Sequence, residues 1–141
     1  MRREHTFEMI EHTADVGVAA YGATKAAAFE SAAYGMFSII ADIGRYEPTD
    51  WVEVQAEGDD DLALLQGFLS SLIVLIDGDN LLPLDFEITK LDGGALTCAV
   101  AIRPVADDVE WLGPAIKAVT YHEMKVQEEG GRWKAQAIFD V

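Results

Sequence analysis

The sequence has little cysteine and little positive charge, and each shortage excludes a class of function. Cys98 is the single cysteine, so an internal disulfide and a cysteine-based zinc site are both excluded. Lysine and arginine total 10 against 25 aspartates and glutamates, which gives a formal net charge of −15. Such a surface repels a phosphate backbone, so we expect no direct binding to nucleic acid. A cation or a basic protein is the better electrostatic match.

Long apolar runs and the common catalytic loops are also missing. The longest uncharged run, residues 62–76, is shorter than the roughly 20 residues that a membrane-spanning helix needs. The first residues form no apolar signal-peptide segment, so we expect a soluble, cytoplasmic protein with no membrane partner. The sequence contains neither a Gly-x-Ser-x-Gly elbow nor a glycine-rich phosphate loop after a strand.

The patterns that are present predict one α+β domain spanning residues 1–141. Half of the residues are hydrophobic, which is enough to form a core. Apolar residues recur at helical spacing in two segments and alternate in seven others, giving the order ββαβαββββ. We expect two helices packed against a largely antiparallel or mixed sheet. The predicted helices are residues 24–41 and 59–76, and the predicted strands are residues 7–11, 15–21, 51–56, 84–91, 96–103, 116–127 and 132–139.

Two acidic segments resemble metal sites, but each has a simpler structural interpretation. Asp59, Asp60 and Asp61 open the second helix, where a cap and the helix dipole both favour carboxylates. Residues 77–80 read Asp-Gly-Asp-Asn like the start of a calcium loop, but Leu82 and Ile88 stand where that loop requires glycine and glutamate. We interpret the first as a helix cap and the second as a helix-stop turn.

Two further aspartates, near the opposite ends of the sequence, form a candidate cation site. Asp15 lies in a turn after Glu11-His12-Thr13-Ala14, and Asp140 is followed by Val141, whose main-chain carboxylate is a third oxygen donor. Oxygen ligands of this kind suit calcium, magnesium or manganese. Spacing alone leaves open whether the two ends meet. The other interpretation is two surface aspartates at the ends of strands.

His12, His122 and Lys117 are the other candidate site residues. An imidazole beside a carboxylate can be a metal ligand or a general base, so His12, Asp15 and His122 are compatible with a metal-dependent hydrolase or phosphotransferase. His12 can equally support its turn through hydrogen bonds. Lys117 stands among small and apolar residues, where it can extend to solvent or bind a phosphate or a carboxylate. A metal-free, chaperone-like binding module is a third alternative.

Three separated motifs resemble the archease family. They are Glu11-His12-Thr13-Ala14-Asp15-Val16-Gly17, the stretch Ile-Lys-Ala-Val-Thr-Tyr-His-Glu-Met at residues 116–124, and Phe139-Asp140-Val141. The order of the elements between them is similar as well, so the resemblance covers nearly the whole chain. The loop at residues 103–111 departs from the family pattern.

This resemblance implies a non-enzymatic helper protein that acts in tRNA splicing. Archeases activate the GTP-dependent tRNA-splicing RNA ligase by promoting its guanylylation and its multiple turnover. By similarity, Asp15, Asp140 and Val141 match the positions that bind a divalent cation. Calcium is the ion expected there, with magnesium and manganese as alternatives. Lys117 matches a position implicated in activation, and His12 lies in the same motif as Asp15. The RNA ligase is the expected partner.

Overall fold

A computed structural model describes residues 4–11 and 15–141 of the chain and confirms the predicted order of elements. Within these residues, seven strands and two helices follow one another as ββαβαββββ, with a short 3₁₀ turn at Ile43–Arg45 after the first helix. The strands are β1 (Thr6–Glu11), β2 (Asp15–Gly22), β3 (Asp50–Glu57), β4 (Leu81–Asp92), β5 (Ala95–Pro104), β6 (Ala118–Glu129) and β7 (Arg132–Asp140). The helices are α1 (Lys25–Ile40) and α2 (Asp61–Asp77).

The strands form two antiparallel sheets, so the fold class is α+β as predicted. The first sheet has the order β1-β2-β7-β6, and the second has the order β3-β5-β4. Every adjacent pair in both sheets is antiparallel. The expectation of one sheet is corrected to two, because β7 inserts between β2 and β6 and leaves β3, β4 and β5 as a separate sheet. In the described part of the chain, neither helix is long and apolar enough to cross a membrane.

The core lies around the two helices, each of which contacts both sheets. Phenylalanine pairs join the layers: Phe29 of α1 stacks on Phe68 of α2 with ring centroids 6.4 Å apart, and Phe37 of α1 stacks on Phe86 of β4 at 6.0 Å. All four rings are fully buried. This arrangement explains why α2 is apolar around most of its circumference, since a helix with protein on several sides has little surface to keep polar.

The turns follow from local chemistry. Gly93-Gly94 and Gly130-Gly131 have positive φ at both positions and close the β4–β5 and β6–β7 hairpins, as predicted. After α2, the Gly78 N–H donates to the Val74 carbonyl at 2.8 Å, which confirms residues 77–80 as a helix-stop turn. β4 starts at Leu81, earlier than predicted, because its ladder with β5 tolerates Pro83 at an irregularity in the register.

Both helices begin at side-chain caps. The Thr24 hydroxyl accepts from the Ala27 N–H at 3.0 Å, and the Asp60 carboxylate accepts from the Ala63 N–H at 2.8 Å. Asp61 forms an ion pair with Lys25 at 3.0 Å, which fixes the start of α2 to the start of α1. The capping interpretation of this acidic cluster is therefore confirmed.

Replacing Asp60 by alanine is expected to lower the free energy of unfolding by about 1 kcal/mol, because the first turn of α2 loses its cap. Asp59→Ala is the matched control: it removes an equal charge one residue earlier, at an exposed position outside the cap bond. Urea unfolding of both variants measures the difference. Equal losses for the two substitutions would show that general charge, not the cap, sets the effect.

Candidate functional site

The first sheet brings Asp15 and Asp140 together. Asp15 begins β2, Asp140 ends β7, and the two are direct partners in the antiparallel register. Opposite residues in such a ladder have Cα atoms about 4.5–5.5 Å apart and side chains on the same face. Ala118 at the start of β6 pairs with Asp140 from the other side, so these three residues form one row across three strands. We call the ends of β2 and β7 at this row the acidic edge.

Two like charges directly opposite each other on a sheet are destabilising unless something neutralises them. Asp140 is exposed and Asp15 is half-buried, so neither residue is enclosed in the core. The side chain of Val141 packs against the core and thereby holds the chain beside Asp140 after the strand has ended. The donors gathered at this edge are all oxygens, a set that fits a hard divalent cation.

Gly17 explains why this segment of β2 lies so close to β7. A Cβ atom at residue 17 would lie 2.5 Å from the Ala137 carbonyl oxygen and 2.7 Å from Cδ1 of Ile138. A larger residue would therefore force the two strands apart two positions from Asp15. The glycine of the Asp15-Val16-Gly17 segment is a packing requirement that keeps the carboxylates in register.

Lys117 lies directly against the acidic edge. Its main-chain N–H donates to the Asp140 carbonyl oxygen at 2.8 Å, and its side chain is exposed. The prediction that Lys117 lies inside the sixth strand is wrong by a small margin, since β6 begins at Ala118. An ammonium group on the residue bonded to this edge can balance the charge of carboxylates or contact an anionic group brought to them.

His12 lies outside the described residues, so the structure adds nothing to the predictions made for it. His122 is exposed, in the stretch between Thr120 and Lys125 where pairing with β7 is interrupted. This bulge contains Glu123 at a φ of 53°, and the Gln136 side-chain amide donates to the Glu123 carbonyl at 2.8 Å.

Among residues 4–11 and 15–141, no three His, Cys, Asp or Glu side chains are grouped as metal ligands. Asp15, Asp140 and the main-chain oxygen of Val141 are the groups that could hold a cation at the acidic edge.

Two features had no counterpart in the sequence patterns. The first is a buried pair between His5 Nε2 and Asp85 Oδ1, 2.9 Å apart, which joins the start of the first sheet to β4 of the second. The second is an apolar groove of about 360 Å³ between the C-terminal halves of the helices and the β5–β6 loop. A tryptophan in that loop, Trp111, is a signal that sequence analysis could have used.

Fold and edge together define a small acidic α+β protein with paired carboxylates at the end of one sheet. The model of the archease protein family (MTH1598/TM1083) matches residues 7–141. Protein archease of Thermococcus gammatolerans is 39% identical over 145 aligned residues, covering 100% of both chains. Protein archease of Thermococcus kodakarensis is 37% identical, covering 96% of this chain and 98% of its own. The chain belongs to the archease family, as its motifs predict.

Solved structures agree with this assignment. The solution structure of Methanobacterium thermoautotrophicum protein 1598 superposes with a TM-score of 0.82 at 31% identity, covering 96% of this chain and 98% of that one. The crystal structure of a Thermotoga maritima archease, described as a possible chaperone, superposes with a TM-score of 0.65 over 99% of this chain and 100% of that one. At 24% identity the second likeness shows the fold alone.

Proposed function

We propose that this protein is a non-catalytic activator of the GTP-dependent tRNA-splicing RNA ligase and acts through a divalent cation at its acidic edge. One observation carries the proposal: Asp15 and Asp140 are register partners in a chain of the archease family. The motifs that carry the resemblance are the segments that meet at this edge. The link to the ligase rests on that resemblance, and the geometry makes it chemically reasonable.

The side chains at the edge suit a cation that is presented to another protein. Asp15 and Asp140 supply two carboxylates on one face of the sheet, and Lys117 supplies a positive charge beside them. A bound divalent ion would neutralise phosphate charge during guanylyl transfer. Two or three protein ligands bind such an ion modestly, because more are needed to complete its coordination shell. Calcium, magnesium and manganese all accept this oxygen-only set.

The overall charge favours a basic partner. A net charge of −15 raises the encounter rate with a protein whose surface is built to bind RNA, and salt should slow that encounter. The same charge disfavours RNA itself as a direct ligand. The protein is thus expected to reach the ligase through protein–protein contact, with the acidic edge directed at its partner.

The proposal is tested with Asp15→Asn and Asp140→Asn, which remove charge but keep the side-chain shape. Each variant is expected to bind calcium at least tenfold more weakly in a calorimetric titration, a loss of about 1.4 kcal/mol or more. The same variants should lose stimulation of ligase guanylylation. Glu8→Gln is the matched control, because Glu8 is an exposed acid on the neighbouring strand, opposite Ala19.

The outcomes separate the parts of the proposal. Calcium affinity that falls equally in all three variants would mean diffuse charge and no defined site. Full stimulation of the ligase by both asparagine variants would remove the cation from the mechanism. Hydrolase or phosphotransferase turnover by the wild-type chain alone, with a divalent ion added, would replace the activator role with the enzymatic alternative that uses His12, Asp15 and His122.

A further inference from the structure

The apolar groove stands beside the acidic edge but does not belong to it. Its volume is about 360 Å³, and it lies between Met36 and Ile40 of α1, Ile73 and Ile76 of α2, and the β5–β6 loop at Trp111 and Ile116. The walls are mainly aliphatic and aromatic. A groove of this size accepts one or two large apolar side chains.

The loop wall of the groove is held in place by main-chain bonds. The Leu112 N–H donates to the Ile40 carbonyl at 2.8 Å, and Trp111 forms an isolated bridge with Ala41. Gly113 follows, where a Cβ atom would lie 3.0 Å from the Ile39 carbonyl oxygen. Because the loop is bonded to the end of α1, the groove exists before anything binds. Little binding free energy is therefore lost in ordering the loop when a ligand binds.

The other end of the β5–β6 loop carries a second restraint. Arg103 forms two hydrogen bonds with the Asp108 carboxylate, at 2.9 Å and 2.6 Å. These hydrogen bonds from Arg103 hold the pKa of Asp108 below its usual range. The carboxylate is therefore ionised at neutral pH, and its ion pair with Arg103 is kept. The Glu110 N–H donates to the Tyr46 hydroxyl at 2.9 Å. These bonds hold the loop, and with it the apolar residues that it contributes to the groove, in a fixed position.

Apolar surface continues outward from the groove. Trp111 lines the groove and is 48% exposed, and the next residue, Leu112, is 58% exposed. Large exposed apolar side chains next to a preformed pocket are typical of protein-binding surfaces, and tryptophan is enriched among the residues that dominate binding energy. A small metabolite would leave these two side chains in water.

Charge and position indicate what binds. Asp77 lines the groove as the last residue of α2, where the helix dipole makes a negative charge unfavourable. A positively charged group bound at this position would therefore be stabilised. The groove is also lined by Ile116, and the next residue, Lys117, donates its main-chain N–H to the Asp140 carbonyl oxygen. A segment seated in the groove would therefore be continuous with a molecule lying on the acidic edge.

We propose that this groove is the docking site for a segment of the partner protein that inserts an apolar side chain and carries positive charge beside it. The inference rests on the proposed function, since it assigns the groove to the partner that the acidic edge serves. The groove supplies affinity through apolar burial, and the edge supplies the chemistry. Separate surfaces for the two tasks allow a weak cation site to act within a stable complex.

The test measures binding of the purified chain to the RNA ligase by fluorescence anisotropy, using two pairs of variants. Trp111→Ala removes the aromatic side chain at the mouth, and Trp51→Ala is its control, because Trp51 is 50% exposed on β3. Ala115→Trp fills the groove from its exposed wall, and Ala106→Trp places the same side chain on the same loop, away from the groove lining. We expect at least tenfold weaker binding for the first member of each pair and less than twofold change for the second.

Additional measurements distinguish this inference from the proposed function. Calcium affinity should be unchanged in all four variants, because none of them touches the acidic edge. Asp77→Asn should weaken binding and reduce its salt dependence. Unchanged binding by both Trp111→Ala and Ala115→Trp would overturn the groove as the dock while leaving the acidic edge intact.

A second probe covers the case in which wild-type protein fails to bind the ligase, which would refute the proposed function. A short helical peptide of leucine and lysine should then still bind the wild-type chain and lose at least tenfold affinity with Ala115→Trp. Its leucine–glutamate counterpart should not bind. Equal binding of the leucine–lysine peptide to wild type and Ala115→Trp, or binding of the acidic peptide, would overturn the inference.

Discussion

Phe68→Ala is expected to lower the free energy of unfolding by about 3–5 kcal/mol, a large share of the total stability of a domain of this size. Phe68 is fully buried in α2 and stacks on Phe29 of α1. Alanine would remove most of a ring from the place where the two helices meet, and the sheets on either side prevent the cavity from closing. Equilibrium unfolding in urea, followed by circular dichroism, measures the loss.

Val74→Ala is the matched control, since Val74 lies on the same helix and is 58% exposed. It should change the free energy of unfolding by no more than about 0.5 kcal/mol. A loss below about 1 kcal/mol for Phe68→Ala would contradict the packing described for the two helices. A comparable loss in both variants would show that burial of the Phe68 ring does not set the effect.

Asp85→Ala is expected to cost about 3 kcal/mol, because it breaks a buried pair and leaves one partner behind. The Asp85 carboxylate lies 2.9 Å from His5 Nε2 and also accepts from the Phe86 N–H at 2.9 Å. His5 stacks on Tyr34 with ring centroids 4.6 Å apart, so its imidazole would stay next to the position that the carboxylate has left. Thermal unfolding at neutral pH measures the effect.

A double substitution tests whether the loss of stability in Asp85→Ala comes from leaving His5 buried without the carboxylate. Replacing both members by apolar residues, His5→Phe with Asp85→Leu, should recover part of the stability lost by Asp85→Ala, because no imidazole is then left buried beside a missing carboxylate. Asp92→Ala, at the exposed end of β4, should stay within about 0.5 kcal/mol of wild type. A cost for Asp85→Ala no larger than that of Asp92→Ala would show that the pair does not hold the two sheets together.

The order and type of the elements could be predicted because each is encoded locally. The apolar positions of α1 and α2 recur at helical spacing, Thr24 and Asp60 are capping residues where helices begin, and the two Gly-Gly pairs mark hairpins. The division into two sheets could not be predicted in the same way. It depends on β7 pairing with β2, residues far apart in sequence whose contact no local pattern records.

The acidic edge was predictable only in part. The residues alone left Asp15 and Asp140 as two aspartates that need not meet, and the family resemblance supplied the expectation that they do. The register now shows them opposite each other, while the metal role of Asp15, Asp140 and Val141 stays a prediction. The groove and the His5–Asp85 pair escaped prediction because they arise where separate elements pack, and the β5–β6 loop has no periodic pattern to read.

The position of β7 has a consequence for how the protein matures on the ribosome. β7 is synthesised after the other six described strands, yet it occupies the interior of the first sheet, with β2 on one side and β6 on the other. Until residues 132–140 emerge, β2 has an unpaired edge, and long-range pairing of this kind folds slowly. The second sheet, made of β3, β4 and β5, can assemble earlier in translation. The row that places Asp15 opposite Asp140 therefore forms only after residues 132–140 have left the ribosome.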